Sequence, residues 1–166
     1  MKGETTVATD STAISNAMEA RSVPKAALVL LGRLFFVLLF LISAPDYFSQ
    51  AGIGFAAAQG VPLAWIAVPL SGLLALSGSL SILLGYRARL GAWLIILFLV
   101  PVTFTMHKFW AVTDPTMANM QMINFMKNVE IIGGALLISQ FGAGPWSLDA
   151  RRSRRLRRVP PTGERL

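Results

Sequence analysis

The sequence predicts an all-α protein, an antiparallel four-helix transmembrane bundle with both termini on the cytoplasmic side. Three observations carry that prediction. Hydrophobic residues make up 54% of the chain and charged residues only 14%, a balance outside that of ordinary water-soluble domains. The apolar residues come in four blocks rather than amphipathic stripes, each close to the roughly 20 residues a helix needs to cross hydrocarbon. The basic residues lie mostly between or beyond the blocks, in a pattern that sets an orientation. At 166 residues the chain has the size of one domain.

Taken in order, residues 1–25 are polar and rich in Ser, Thr and Ala, which predicts a disordered cytoplasmic tail. The membrane domain follows over residues 26–146, with its first span at Ala26–Ala44. Within that span, Leu34–Ile42 followed by Ser43-Ala44-Pro45 has the outline of a signal-peptide core and cleavage site. The long preceding region and a proline directly after the cut argue for a retained helix. The second span, Leu63–Leu84, and the third, Leu90–Met106, contain Pro69 and Pro101, which neighbouring helices can accommodate in a membrane. On the second span Ser71, Ala75 and Ser79 recur every fourth residue and predict a close helix contact. The fourth span, Met122–Phe141, is the least apolar, with Asn124, Lys127, Asn128 and Glu130 in its first half. It reads as a span because Val129–Ile138 is apolar; its polar half is expected to face inward, and Gly133 and Gly134 to make close contacts. Residues 147–166 form a basic cytoplasmic tail.

Orientation follows from the loops. Arg87 and Arg89 join spans two and three, and six arginines occupy Arg151–Arg158 beyond span four, so both places are expected in the cytoplasm. The connection over residues 45–62 has no basic residue and only Asp46, and in the other outer connection Lys108 is balanced by Asp114. The expected location is a bacterial-type cytoplasmic (inner) membrane. The arginine run suits an anionic leaflet. The lipid bilayer is therefore the partner that explains a net charge of +7, and nucleic acid is not needed.

The chain has no cysteine, which excludes disulfides, thiolate catalysis and cysteine-held metal or iron–sulfur sites. A single histidine, His107, excludes bis-histidine haem ligation by this chain alone. Nucleotide-binding, zinc-protease and serine-hydrolase motifs are also missing. Met117, Met120, Met122 and Met126 are soft enough for Cu(I), but methionine is an ordinary gap filler and no metal site is assigned. Two polar constellations remain. Arg33 and Glu130 are ionisable groups inside spans, where charges face a bundle interior, and are expected to pair as a structural tie or as polar handles for a ligand. Towards the outer side, His107 in the run His107-Lys108-Phe109-Trp110 reads as an interfacial anchor or, with Asp46 and Lys127, as a ligand site, and Asn128 is a further candidate ligand-binding residue.

The ordered pieces from Gly32-Arg33 onward resemble the DoxX family of four-helix membrane proteins. They are Gly60-Val61-Pro62; Gly72–Gly85 with Arg87 and Arg89; Val100–Val112; Asp114-Pro115; Phe125–Asn128; Gly133-Gly134; and Gly142–Asp149. The glutamate that many members have in the second helix falls here at Ala75, while span four has Glu130. The resemblance implies a membrane subunit or anchor of a quinone-linked redox complex. It would have a redox partner protein and a non-covalently held quinone. A non-enzymatic scaffold and a small transporter are the alternatives, and a homodimer is compatible with the small-residue faces.

Overall fold

The structure, a computed structural model, describes residues 25–157. The expected disordered tail (all but residue 25) and the end of the arginine run lie outside that range. Helix α1 covers residues 25–42 and leads through a short 3-10 turn, Ala44–Phe48, into α2, Gln50–Ala58. Then come α3, Ala64–Leu84; α4, Ala88–Met106; a 3-10 turn at Phe109–Ala111; α5, Pro115–Phe141; and α6, Leu148–Arg157. Among the described residues there is no strand. Four segments are long and apolar enough to cross a membrane: Lys25–Phe48, Ala64–Leu84, Ala88–Ala111 and Pro115–Phe141.

Packing runs from α3 to α4 and from α4 to α5, and α1 joins them through Val37 and Phe40. The core also contains Ala75, Ile82, Ala92, Ile95, Phe98, Leu99 and Ala135. Many large apolar side chains, among them Phe35, Leu39 and Leu97, point outward. That is the distribution expected where the solvent is lipid and helices associate by close packing of small residues. The closest approach joins α3 and α4. A Cβ on Gly78 would stand 2.8 Å from the carbonyl oxygen of Gly91, and a Cβ on Gly91 would stand 2.8 Å from that of Gly78. Ala75 and Ser79 are fully buried on the same helix, as their spacing predicts, and Ser71 is half-buried. Gly134 packs under the ring of Phe36, whereas Gly133 faces open space and does not make the contact expected of it.

Three boundaries differ from the sequence reading, each for a local reason. Helix α5 starts at Pro115, not Met122. Asp114 caps it by accepting from the Met117 N–H at 2.8 Å, and Pro115 fills the first position, where no amide hydrogen is needed. The connection over residues 45–62 holds α2, whose cap is Ser49 accepting from the Gly52 N–H at 2.9 Å. The basic segment from Leu148 is helical, capped by Ser147 accepting from the Ala150 N–H at 3.1 Å.

Candidate functional site

Polar groups gather at the two ends of the bundle and do different things there. At one end, Arg33 is 4% exposed, and its Nη2 donates to the carbonyl of Trp146. No carboxylate meets it, and its Nε and Nη1 have no hydrogen-bond partner among the described residues. The guanidinium shares a tight space with Gly85, Ala143 and Ser147, so it sits beside the last turns of α3 and α5. Each helix C-terminus presents the equivalent of about half a negative charge. Such partial charges favour a cation at that position. The expected tie to Glu130 is not made among the described residues. Glu130 lies 12 residues before Gly142, about 18 Å along the axis of α5 at 1.5 Å per residue, and is exposed. Helical side chains lean towards their helix N-terminus, which aims Arg33 away from Glu130 and down to the 143–147 loop.

The same end is closed by a reciprocal clasp. Asp149 Oδ1 accepts from the Arg87 N–H at 3.0 Å and Oδ2 from the Ala88 N–H at 3.3 Å, capping α4 from a distant part of the chain. In return the Asp149 N–H donates to the Gly85 carbonyl at 2.9 Å. Arg87 holds a left-handed conformation, φ 50°, and Ser81 Oγ donates to the carbonyls of Tyr86 and Arg87 behind it. Gly85, φ 64°, has no room for a side chain. Such a turn is strained for a residue other than glycine and persists because its surroundings fix it.

At the other end the expected group of His107, Asp46 and Lys127 is not brought together. His107 Nδ1 is 2.8 Å from Gln121 Oε1, and Lys108 Nζ donates to the Gln59 carbonyl at 3.4 Å. Lys127 is exposed and reaches Asn124 Oδ1 at 3.5 Å, and Asn128 is half-buried on α5. Around His107 the rings of Phe104, Phe109, Trp110 and Phe125 meet edge to face, with centroids 5.0 to 6.0 Å apart in the closest pairs. Aromatic side chains of this kind are enriched at membrane interfaces.

Asp46 belongs instead to a cavity of about 490 Å³ between α2, α3 and α4. Its walls are mostly apolar, with Phe55, Val61, Val68, Val102 and Met106 among them, and Pro101 lies on one side. The hydroxyls of Ser71 and Thr105 are used within their own helices, donating to the carbonyls of Val68 and Pro101 at 2.7 Å each. That leaves Asp46 and Tyr47 as the polar handles. Tyr47 is held by an edge contact with Phe98, centroids 5.6 Å apart, and by Gly72, where a Cβ would come within 2.5 Å of the Tyr47 Cβ. Gly52 gives the same close passage to the Asp46 carbonyl. A mainly apolar cavity with few polar groups is the usual form of a small-molecule site.

Sequence reasoning assigned no site role to Tyr47, Gly85, Trp146 or Asp149. The signal for Tyr47 was faint, because only the fold of α2 across α3 gives it a role. Asp149 was legible in part: Gly142-Ala143-Gly144-Pro145-Trp146-Ser147 is turn chemistry followed by a cap, though its partner 61 residues earlier is not.

The comparisons correct the resemblance to the DoxX family. The family model that matches the chain is that of the SURF4 family, over residues 4–154. The DoxX reading rested on short pieces that also suit other small helical membrane proteins. The chain is 32% identical over 126 residues to "Inner membrane protein YphA" of Escherichia coli (strain K12), covering 75% of this chain and 89% of that one. It is 24% identical over 115 residues to "Surfeit locus protein 4 homolog" of Schizosaccharomyces pombe, covering 64% of this chain and 38% of that one. No solved structure matches the chain.

Proposed function

The chain belongs to the SURF4 family of integral membrane proteins, and from that premise we propose a non-enzymatic inner-membrane scaffold whose cavity holds a lipid-like small molecule. The observation that carries this reading is the cavity beside Tyr47, apolar on most sides and bordered by one carboxylate. Its shape suits an amphiphile with an apolar tail and a hydrogen-bonding head. The likeness to an inner membrane protein of Escherichia coli supports the location. Arginine-rich connections at the Arg33 end support an antiparallel bundle with both termini in the cytoplasm, which puts the cavity on the outer side. The redox-anchor reading depended on the DoxX resemblance and gives way to the scaffold. A quinone remains one member of the ligand class the cavity would take.

The test is to fill the cavity. Ala67→Phe, on the cavity wall of α3, should leave the protein folded and thermally as stable as wild type. Mass spectrometry of lipids extracted from the purified protein should show one amphiphile near stoichiometric amounts in wild type. That species should fall about tenfold or more in the variant, the loss expected where bulk removes a well-packed ligand. Identical lipid profiles from the two proteins would sink the proposal.

A further inference from the structure

A second groove, of about 760 Å³, lies at the Arg33 end and is independent of the cavity. Three segments meet there: the start of α4, the end of α5, and α6. Each of the two basic segments brings arginine to it: Arg87 and Arg89 from the first turn of α4, and Arg152 from α6. All three are exposed. Among the described residues the only carboxylate lining the groove is Asp149, and both of its oxygens are already bonded to the amides of Arg87 and Ala88. It therefore offers little to the guanidiniums, and the groove keeps an excess of positive charge.

The rest of the lining is apolar where it meets the membrane-spanning part. Phe141 is 80% exposed and Leu156 is 68% exposed, and Leu90 stands beside them. A soluble anion would satisfy the arginines and leave these side chains in water. A lipid satisfies both at once, with its phosphate among the guanidiniums and the upper part of its chains on Phe141 and Leu156. Guanidinium and phosphate match as a planar fork to a pair of oxygens, which distinguishes a seated headgroup from diffuse attraction to a charged surface. The groove is also much larger than a single inorganic phosphate. The geometry points to a binding site for an anionic phospholipid, held by Arg87, Arg89 and Arg152 at the junction of α4, α5 and α6.

The test compares arginines that differ in position and not in charge. Arg155 lies on α6, one turn from Arg152, and is outside the groove. Purified full-length protein in neutral detergent is mixed with phosphatidylglycerol or phosphatidylcholine, and retained lipid is read by native mass spectrometry. Wild type should retain the anionic lipid about tenfold better. Arg89→Gln and Arg152→Gln should each cut that retention about fivefold or more, as expected when one charge-assisted hydrogen bond to the headgroup is removed, while Arg155→Gln stays within about twofold. Millimolar inorganic phosphate should not displace the lipid. Equal losses in all three variants would reduce the effect to net charge and overturn the site. Equal retention of the two lipids would overturn it as well, and displacement by inorganic phosphate would overturn the choice of a lipid. The three side chains are exposed, so the variants fold, and thermal unfolding in the same detergent confirms it.

Discussion

The two ends of the bundle use the same kinds of residue to opposite effect. At the Arg33 end, polar groups are used by the protein itself: a buried guanidinium against two helix ends, a carboxylate capping a distant helix, and a glycine with no space beside it. At the Asp46 end, polar groups border a cavity, and the nearby hydroxyls turn back on their own helices. One end fixes how the helices sit and the other leaves room. A membrane protein cannot rely on the hydrophobic effect between its helices, so specific ties and close backbone contact must hold it. The Asp46 end has ties of its own, His107 to Gln121 and Lys108 to Gln59, but they leave the cavity between α2, α3 and α4 open.

A methyl group placed at one glycine of each end tests this contrast most severely. Gly85→Ala sets a side chain at φ 64° and drives it into Arg33, Ala143 and Ser147. Left-handed strain of about 1 to 2 kcal/mol then adds to overpacking of about 1 to 3 kcal/mol. Gly60, in the loop before α3, has φ 84° but nothing within 4 Å of its missing side chain. Gly60→Ala should therefore show the strain alone. Thermal unfolding of both variants in one detergent reads the difference, and equal losses would mean that the Arg33 end is no more tightly locked than the other.

A smaller effect is expected at Asp149, where one carboxylate caps two amides. Asp149→Ala should lower stability by about 1 to 2 kcal/mol, the usual cost of removing a helix cap, and raise hydrogen exchange at the Arg87 and Ala88 amides. Asp149→Asn, which keeps one acceptor, should recover part of it. Unchanged protection of those amides in the alanine variant would show that the clasp is held by other contacts.

How much of this was visible in the sequence divides along the same line. The four spans were legible because a run of apolar residues near 20 long has few other meanings. The small-residue face of α3 was legible too, since its spacing names one side of a helix. Arg33 was rightly read as a charge turned inward, but its partner was not. A sequence offers only acidic side chains as partners for an arginine, while the structure sets this one against a single backbone carbonyl, that of Trp146, and beside two helix ends, which have no letter in the sequence. The cavity was hidden for a related reason. Asp46 was singled out, yet Tyr47, α2 and Pro101 make a wall only after α2 folds over α3 and α4. Family assignment by short pieces went astray because glycines, prolines and apolar runs recur in many membrane bundles.

The most delicate effect separates two accounts of Arg33. If helix ends hold its charge, Glu130 is irrelevant to it. Arg33→Ala removes a charged donor from the Trp146 carbonyl and should cost about 1 to 3 kcal/mol. Glu130→Gln changes an exposed group on the outward side of α5 and should shift stability by no more than about 0.5 kcal/mol. In the double variant the two losses should simply add, with a coupling within about 0.5 kcal/mol, as for sites well beyond about 10 Å apart. A coupling above about 1 kcal/mol would mean that carboxylate and guanidinium act on one another after all, across the α1–α5 contact at Phe36 and Gly134. Additivity leaves Glu130 as a carboxylate facing out of the bundle with no task inside it.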